Sequence, residues 1–541
     1  MEKVISKIKN VKIKTPDEAL KRLCEWFDAN KRLTLITALL VGFIAHVLLL
    51  SILITSPDGL WNSIVYSANT TEVTSGRWLI NTIDSMRKNL AIPSITTVIS
   101  IIVMAFTAVI ITDLLEFKSK ISCIVTAVFL VVSPCLTITL LYAYTADAYC
   151  YAFFFAAMAV WCMYRKKHRV LGAIFGSIFT MLSIAVYQTY IGAIVALCIL
   201  KAMVEVFRGE EYKNIFKNIG IAILSTIIGL GLYWGGEQIA LSVYGVKLSN
   251  YHGASDIGLM NTIKNLPVAL EKMYGYFMDF FIGNSIVHNT NMSRNTFYKV
   301  LFAAEGLALI YVLFARKSKT KRTKIIDALL IIAMVAVLPM GINFVLLIAP
   351  ETHCDPIVAT PTILIIPFFM IILENFELNK GVILKWVSIA MCFVIAVTYY
   401  LAANSTYTGI RMKYNQAYTM TVRIVDRIEN CEDYEPGKKW LFGGILDSGN
   451  TPVVSEIYFL TLGGFVDGPI FHGNYQGMIA TWRKFLQTYA GIQPDFCSPE
   501  EYFEICGTEE FKEMPVFPAQ GSVAEINGVM VVKLTRNVPT N

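Results

Sequence analysis

Charge is what this chain has least of. Of its 541 residues 16% are Asp, Glu, Lys or Arg, against 55% hydrophobic, and the mean hydropathy is +0.55. So few charges cannot keep the surface of a chain this size in water, and the apolar residues come in long blocks, which excludes an ordinary soluble globule. No Cys-x-x-Cys pair occurs, and Cys123, Cys135, Cys150, Cys162, Cys198 and Cys392 stand inside apolar runs as small hydrophobes without metal-ligand spacing. No internal repeat is visible. Met1 to Arg32 stays polar, so no cleavable signal peptide is expected and the first apolar run must act as the insertion signal. The net charge of +6 lies in short clusters beside apolar runs, where it sets orientation, and no nucleic-acid partner is expected.

What is present is a series of apolar runs long enough to cross about 30 Å of hydrocarbon. Eleven spans are expected, at about 33–55, 92–115, 121–141, 148–164, 170–186, 191–207, 219–243, 297–315, 325–348, 357–373 and 382–402. Counted this way, the Lys-rich N-terminal arm, Lys118 to Lys120, Arg165 to Arg169, Arg208 to Lys217 and Arg316 to Arg322 all fall on one side, expected to be cytoplasmic. Leu259 to Ile282 mixes polar with apolar residues; as a crossing it would throw the later basic clusters outside, so it reads as an interfacial or re-entrant helix.

The expected fold is therefore an all-α polytopic membrane domain followed by a small extracytoplasmic α/β domain. Residues 1–32 form a cytoplasmic arm, 33–403 the transmembrane domain with external loops 56–91 and 244–296, and 404–541 the soluble domain. In the last part Tyr414 to Ile428 has helical spacing, while 439–442 and 529–534 read as strands, the second after an Asn527-Gly528 turn. Cys497 and Cys506 either pair or, with Cys431, stay free.

Polar residues at the external span ends supply the candidate site. Asp58 follows the first span, Glu72, Arg77 and Trp78 precede the second, Tyr144 and Asp147 precede the fourth, and Gln188 and Tyr190 stand between the fifth and sixth. Charge beside hydrocarbon is costly and is usually kept for a purpose. A carboxylate there can deprotonate an attacking hydroxyl, and an arginine can hold a phosphate leaving group by two parallel bonds, a pairing suited to sugar transfer from a lipid phosphate. Plainer readings stand beside this one. Asp58 and Asp147 fit helix caps, Arg77 fits a headgroup contact, and Trp61, Tyr66, Trp78, Tyr142 and Tyr144 fit an interfacial aromatic belt. His46 reads as a hydrogen-bonded packing residue. Glu305 sits inside a span with an open role, Asp113, Glu205, Asp327 and Lys385 as solvated groups at the basic end. No cofactor is required; Glu351 to Pro356 carries metal-capable side chains at no standard spacing, leaving a divalent metal open.

The order of Asp58-Gly59, Thr74-Ser75-Gly76-Arg77-Trp78, Tyr144-Thr145-Ala146-Asp147, Tyr187-Gln188-Thr189-Tyr190 and a terminal Met514-Pro515-Val516-Phe517-Pro518 segment resembles the bacterial glucosyltransferases typified by the type II serotype-converting O-antigen enzymes, of the GT-C kind. The resemblance implies a polyprenyl-phosphate glucose donor, a cell-envelope glycan acceptor outside the bacterial cytoplasmic membrane, and a base carboxylate in the first external loop. By position Asp58 takes that role and Arg77 the phosphate. Such enzymes often carry paired acids in this loop, whereas Gly59 follows Asp58, so Asp58 acts alone, with Glu72 or with Asp147. A lipid-linked glycan polymerase and a transporter or flippase of lipid-linked sugars are the competing readings, the latter weakened by the missing repeat.

Overall fold

The computed structural model describes residues 15–62, 64–66, 70–249, 259–283, 293–315, 321–349, 351–352, 354–376, 382–445, 462, 475–536 and 538. Parts of the expected loop 244–296 and of the C-terminal region, including most of 446–474, lie outside them, as does His353.

The chain begins with α1 (Pro16–Trp26) and α2 (Ala29–Ala45), the latter capped by Asp28, whose carboxylate accepts from Lys31 N. His46 interrupts the first apolar run before α3 (Val47–Ser51). Its ring lies buried between the Tyr407 hydroxyl and the Val131 carbonyl, each at 2.8 Å, which is the packing role expected of it. Three short helices follow at one end of the bundle: α4 (Pro57–Trp61), α5 (Thr70–Thr74) and α6 (Ile80–Met86).

The bundle is built from α7 (Pro93–Leu114), α8 (Lys120–Val132), α9 (Pro134–Leu141), α10 (Ala146–Met163), α11 (Arg169–Val186), α12 (Ile191–Phe207) and α13 (Tyr212–Tyr244). α14 (Leu259–Ile282), α15 (Ser293–Ala315), α16 (Lys321–Ile342), α17 (Val345–Ile348), α18 (Ile365–Glu374) and α19 (Val382–Glu429) complete it. Among the described residues nine helical segments are long and apolar enough to cross a membrane, which makes this a multi-span membrane protein. The count differs from eleven at two places. The first run is split at His46, leaving α2 at 17 residues, and the tenth, Thr360–Glu374, is shorter than a crossing requires. The 121–141 run is one segment made of two helices, because Pro134 starts α9 and the Ser133 hydroxyl caps it through Cys135 N.

Burial separates centre from rim. α10 buries Ala148, Ala152, Ala156, Ala157 and Ala159, small side chains that let α7, α11 and α12 approach closely. The apolar window of α13 is 28% buried against 72% for α7, and Ile223, Leu224, Ile227, Ile228 and Leu232 point outward, as a lipid-facing helix requires. α14 is helical as read from sequence; it carries Pro267 and packs Met273, Phe277, Phe280 and Phe281 against the bundle.

The described residues of the expected basic clusters meet at one end, while 1–14 and 316–320 lie outside the described residues. Lys201 and Arg208 pair with Glu116, Lys166 with Glu210 and Lys31 with Asp113, while Glu374 accepts from the Lys118 and Ser119 amides. Glu205 and Asp327 are not solvated as expected. Both are buried, the first accepting from Asn218 and the second from the Tyr212 hydroxyl.

α19 runs unbroken for 48 residues, past position 404 and out of its apolar part, to reach the C-terminal region. There β1 (Lys439–Gly443), β2 (Val523–Ile526) and β3 (Val529–Lys533) form a sheet ordered β1-β3-β2, with β1 parallel and β2 antiparallel to β3. Asn527 and Gly528, both at positive φ, make the β2–β3 turn that their identity announced. β3 is buried throughout, and α20 (Tyr475–Phe485), α21 (Pro499–Gly507) and α22 (Glu509–Glu513) flank the sheet. All eleven cysteines are free, Cys497 and Cys506 included.

Candidate active site

Asp58 is placed from below. The Leu141 carbonyl that ends α9 accepts from Ser56 N at 2.9 Å and from the Thr55 hydroxyl at 2.7 Å, and the Ser56 hydroxyl caps α4 through Gly59 N. Ser56, not Asp58, is thus the helix cap, and Asp58 is left in the first turn, half-buried. Its carboxylate makes no hydrogen bond or ion pair with a described residue. Gly59 has a steric cause: a Cβ there would lie 1.6 Å from Thr55 Oγ1 and 3.0 Å from the Leu141 carbonyl, so a second acidic side chain could not follow Asp58 in this packing. α20 packs on α4, and Tyr414 and Tyr489 donate to the Thr55 and Leu53 carbonyls, so the C-terminal region adjoins Asp58.

Arg77 is placed from the side. Gly76 turns at φ +77° where a Cβ would meet Tyr233 Oη at 2.5 Å, Gln188 Nε2 at 2.6 Å and Glu237 Oε1 at 2.7 Å. Tyr233 donates to the Gly76 carbonyl, and Gln188 donates to the Ser75 carbonyl at 2.8 Å. Arg77 then reaches Glu72 Oε2 at 3.3 Å and the Tyr149 hydroxyl at 3.4 Å, and lies over the Tyr187 ring, itself stacked on Tyr149. The Trp78 indole N–H is buried without an acceptor among the described residues.

A third group was not anticipated from sequence. Arg87, 8% exposed, donates through Nε to both Asp147 oxygens at 3.1 and 3.3 Å and through Nη2 to Asp84 Oδ1 at 2.6 Å. It also donates to the Tyr144 and Leu90 carbonyls. Asp147 is therefore 2% exposed and turned onto Arg87 rather than facing an open vestibule, and it follows Thr145, the N-cap of α10. The signal available was Asp84-x-x-Arg87, one helical turn apart, which passes for an ordinary surface pair.

The three groups adjoin one another through Tyr66 and Tyr144. Tyr66 donates to Glu72 at 3.3 Å and packs edge-on against Tyr144 at 4.8 Å. Burial, then Tyr149, Asp58 and Glu72, holds the Tyr144 hydroxyl well above its ordinary value; burial and Glu72 do the same at Tyr66. Both phenols stay neutral donors beside the acids. Burial, opposed by Arg87 and reinforced by Asp147 and Glu72, pushes Asp84 up to about 8, because two carboxylates share one guanidinium. Asp84 Oδ2 has no hydrogen-bond partner among the described residues.

Tyr190 and Gln188 are framework here. Tyr190 is buried and stacked on Phe153, and the Gln188 amide is spent on Ser75 and Tyr233. Among the described residues no three His, Cys, Asp or Glu side chains converge as metal ligands.

Four carboxyl groups and two guanidiniums, walled by tyrosines, thus gather at one end of the bundle. A family model described as Glucosyl transferase GtrII matches residues 61–373. The chain belongs to the GtrII glucosyltransferase family. The match begins three residues after Asp58 and takes in Glu72, Arg77, Trp78, Tyr144, Asp147, Gln188 and Tyr190. No curated protein and no solved structure matches the chain significantly. Family and bundle together make it a membrane glycosyltransferase.

Proposed function

We propose that the chain moves glucose from a polyprenyl-phosphate carrier to a cell-envelope glycan on the outer face of the bacterial cytoplasmic membrane. The observation that carries this reading is Asp58: a half-buried carboxylate uncommitted among the described residues, at the bundle end that also holds Arg77. Asp58 takes the proton from the acceptor hydroxyl as its oxygen bonds to the sugar's C1. The C1–O bond to phosphate breaks with its electron pair, and Arg77, exchanging its 3.3 Å contact with Glu72 for phosphate oxygens, neutralises the charge that develops. Trp78 and Tyr144 face the sugar, Gln188 and Tyr190 hold the Arg77 turn and its neighbours, and Asp147, already held by Arg87, supports the site electrostatically rather than as the base.

The basic clusters gathered at the opposite end support an orientation with those clusters and residues 1–32 inside and residues 404–541 outside. The donor is the lipid, because the acidic site faces away from cytosolic nucleotides.

The test supplies purified protein with polyprenyl-phosphate-glucose and an envelope glycan. Asp58→Asn is expected to lower turnover about 10²- to 10⁴-fold with an unchanged unfolding temperature. Full turnover in that variant removes the base assignment, and transfer from a soluble nucleotide sugar alone overturns the donor class.

A further inference from the structure

α13 has two different faces. The outer one carries the exposed Ile223, Ile227 and Leu232, while Tyr233, Gly236 and Glu237, within about one helical turn of one another, meet the Arg77 turn. A Cβ on Gly236 would lie 2.5 Å from the Trp78 ring, and past the helix end Ser249 donates through its amide and its hydroxyl to the Thr74 carbonyl. Glu237 has no part in the transfer step. It is 6% exposed, and among the described residues its one hydrogen-bond partner is Tyr233 and no cation lies at ion-pair distance.

The protons around Tyr233 can be counted. The Gln188 amide gives one N–H to the Ser75 carbonyl at 2.8 Å, which fixes the end of the amide that points inward, and the other to Tyr233 Oη at 3.3 Å. Tyr233 Oη then has one proton of its own and two further neighbours, the Gly76 carbonyl at 3.1 Å and Glu237 Oε1 at 3.0 Å. A carbonyl and a carboxylate can both only accept, so one hydroxyl proton cannot serve the two. With Glu237 ionised, either its Oε1 is left without a donor or the Gly76 carbonyl loses Tyr233. With a proton on Glu237, its O–H donates to Tyr233 Oη, Tyr233 donates to the Gly76 carbonyl, and every contact is made at once. A neutral carboxyl also avoids a buried charge without a counter-charge. Arg77 supplies none, since it is turned onto Glu72 at 3.3 Å.

We infer that Glu237 is a neutral positioning residue: its carboxyl O–H donates to Tyr233, which frees the Tyr233 proton for the Gly76 carbonyl and so fixes where Arg77 leaves its turn. The consequence for turnover rests on Arg77 taking the donor phosphate, as proposed above. Ionising Glu237 draws the Tyr233 proton off the Gly76 carbonyl and loosens the turn. The charged and titratable groups about it are Tyr233 on α13, Glu72 and Arg77 on the turn, Tyr149 on α10, and Tyr187 under the Arg77 guanidinium.

Two measurements on the full chain in detergent test this. The first is the infrared carbonyl-stretch difference between wild type and Glu237→Gln at neutral pH without substrate. Loss of one neutral-carboxyl band is expected, and loss of a carboxylate band in its place overturns the assignment. The second is a kinetic cycle with the polyprenyl-phosphate-glucose donor. Tyr233→Phe and Glu237→Met are each expected to raise the donor KM about fivefold, the size of one neutral hydrogen bond, with kcat little changed. Because Glu237 acts through Tyr233, the double variant is expected to be no worse than Tyr233→Phe. Glu237→Gln, which keeps an N–H at the same place, recovers most of the loss. An unchanged KM in both single variants, effects that add in the double variant, or Glu237→Gln as impaired as Glu237→Met overturns the positioning role. Should Glu237→Met not fold, Tyr233→Phe alone and combined with Glu237→Gln carry the cycle. The same cycle is read on unfolding temperature. A donor that is not used at all therefore overturns the transfer reading while the band and the unfolding cycle still decide the proton on Glu237.

Discussion

The ion pairs at the two ends of the bundle differ in how far water reaches them. At the basic end Lys166 and Glu210 meet across side chains 57% and 32% exposed, and Glu116, 40% exposed, serves both Lys201 and Arg208. At the other end the Asp84 and Asp147 side chains are 0% and 2% exposed and share the Arg87 side chain, itself 4% exposed. Solvent makes the first kind of pair cheap and nearly neutral in energy, whereas the second takes the Arg87–Asp147 pair out of water with Asp84 held protonated beside it. On the proposed function, charge at the basic end orients the chain and charge at the other end is held for chemistry.

The comparison breaks most sharply at Arg87. Arg87→Met leaves Asp84 and Asp147 buried without their cation and is expected to destabilise the protein by about 3–5 kcal/mol, read by thermal or denaturant unfolding in detergent. Gly76→Ala comes next. It forces an L side chain into positive φ against Tyr233, Gln188 and Glu237, with an expected cost of about 1–3 kcal/mol and a raised KM as the Arg77 turn shifts.

A pH series sharpens the contrast. Since Asp84 is raised to about 8 in the folded protein, the native state binds a proton there that the unfolded chain releases near pH 4. Its contribution to stability is present at low pH and is lost as pH rises through about 8. The unfolding temperature of wild type is therefore expected to fall more steeply between pH 6 and 9 than that of Asp84→Asn; equal slopes would contradict this. At the basic end Lys166→Ala is expected to change stability by no more than about 0.5 kcal/mol, and a loss of several would erase the distinction.

Much of the bundle was legible because membrane insertion is read off local hydrophobicity. Nine of the expected runs appear as helical segments long enough to cross, the last continuing to Glu429, and the strands read at 439–442 and 529–534 and the Asn527-Gly528 turn were found, whereas β2 was not anticipated. The misses differ in cause. His46, where the first run is split, bonds across helices to Val131 and Tyr407, whereas Ser133-Pro134 divides another run by a local cap and helix start. In the site, Asp58, Glu72 and Arg77 were legible as charges beside apolar runs. Arg87 was not, since only the fold brings Asp147, sixty residues away, against it. Gln188 drew notice as a polar group at a span end; its use, pinning Ser75, could not be read from that position.

By itself the sequence determined that this is a membrane protein, roughly where its helices run, and which polar residues stand at their ends, because transfer into hydrocarbon is decided segment by segment. Tertiary structure alone decided which of those polar residues are spent on one another. Among the described residues Asp147 is committed to Arg87 and Asp58 to no partner, because pairing depends on distances between helices that no local pattern encodes.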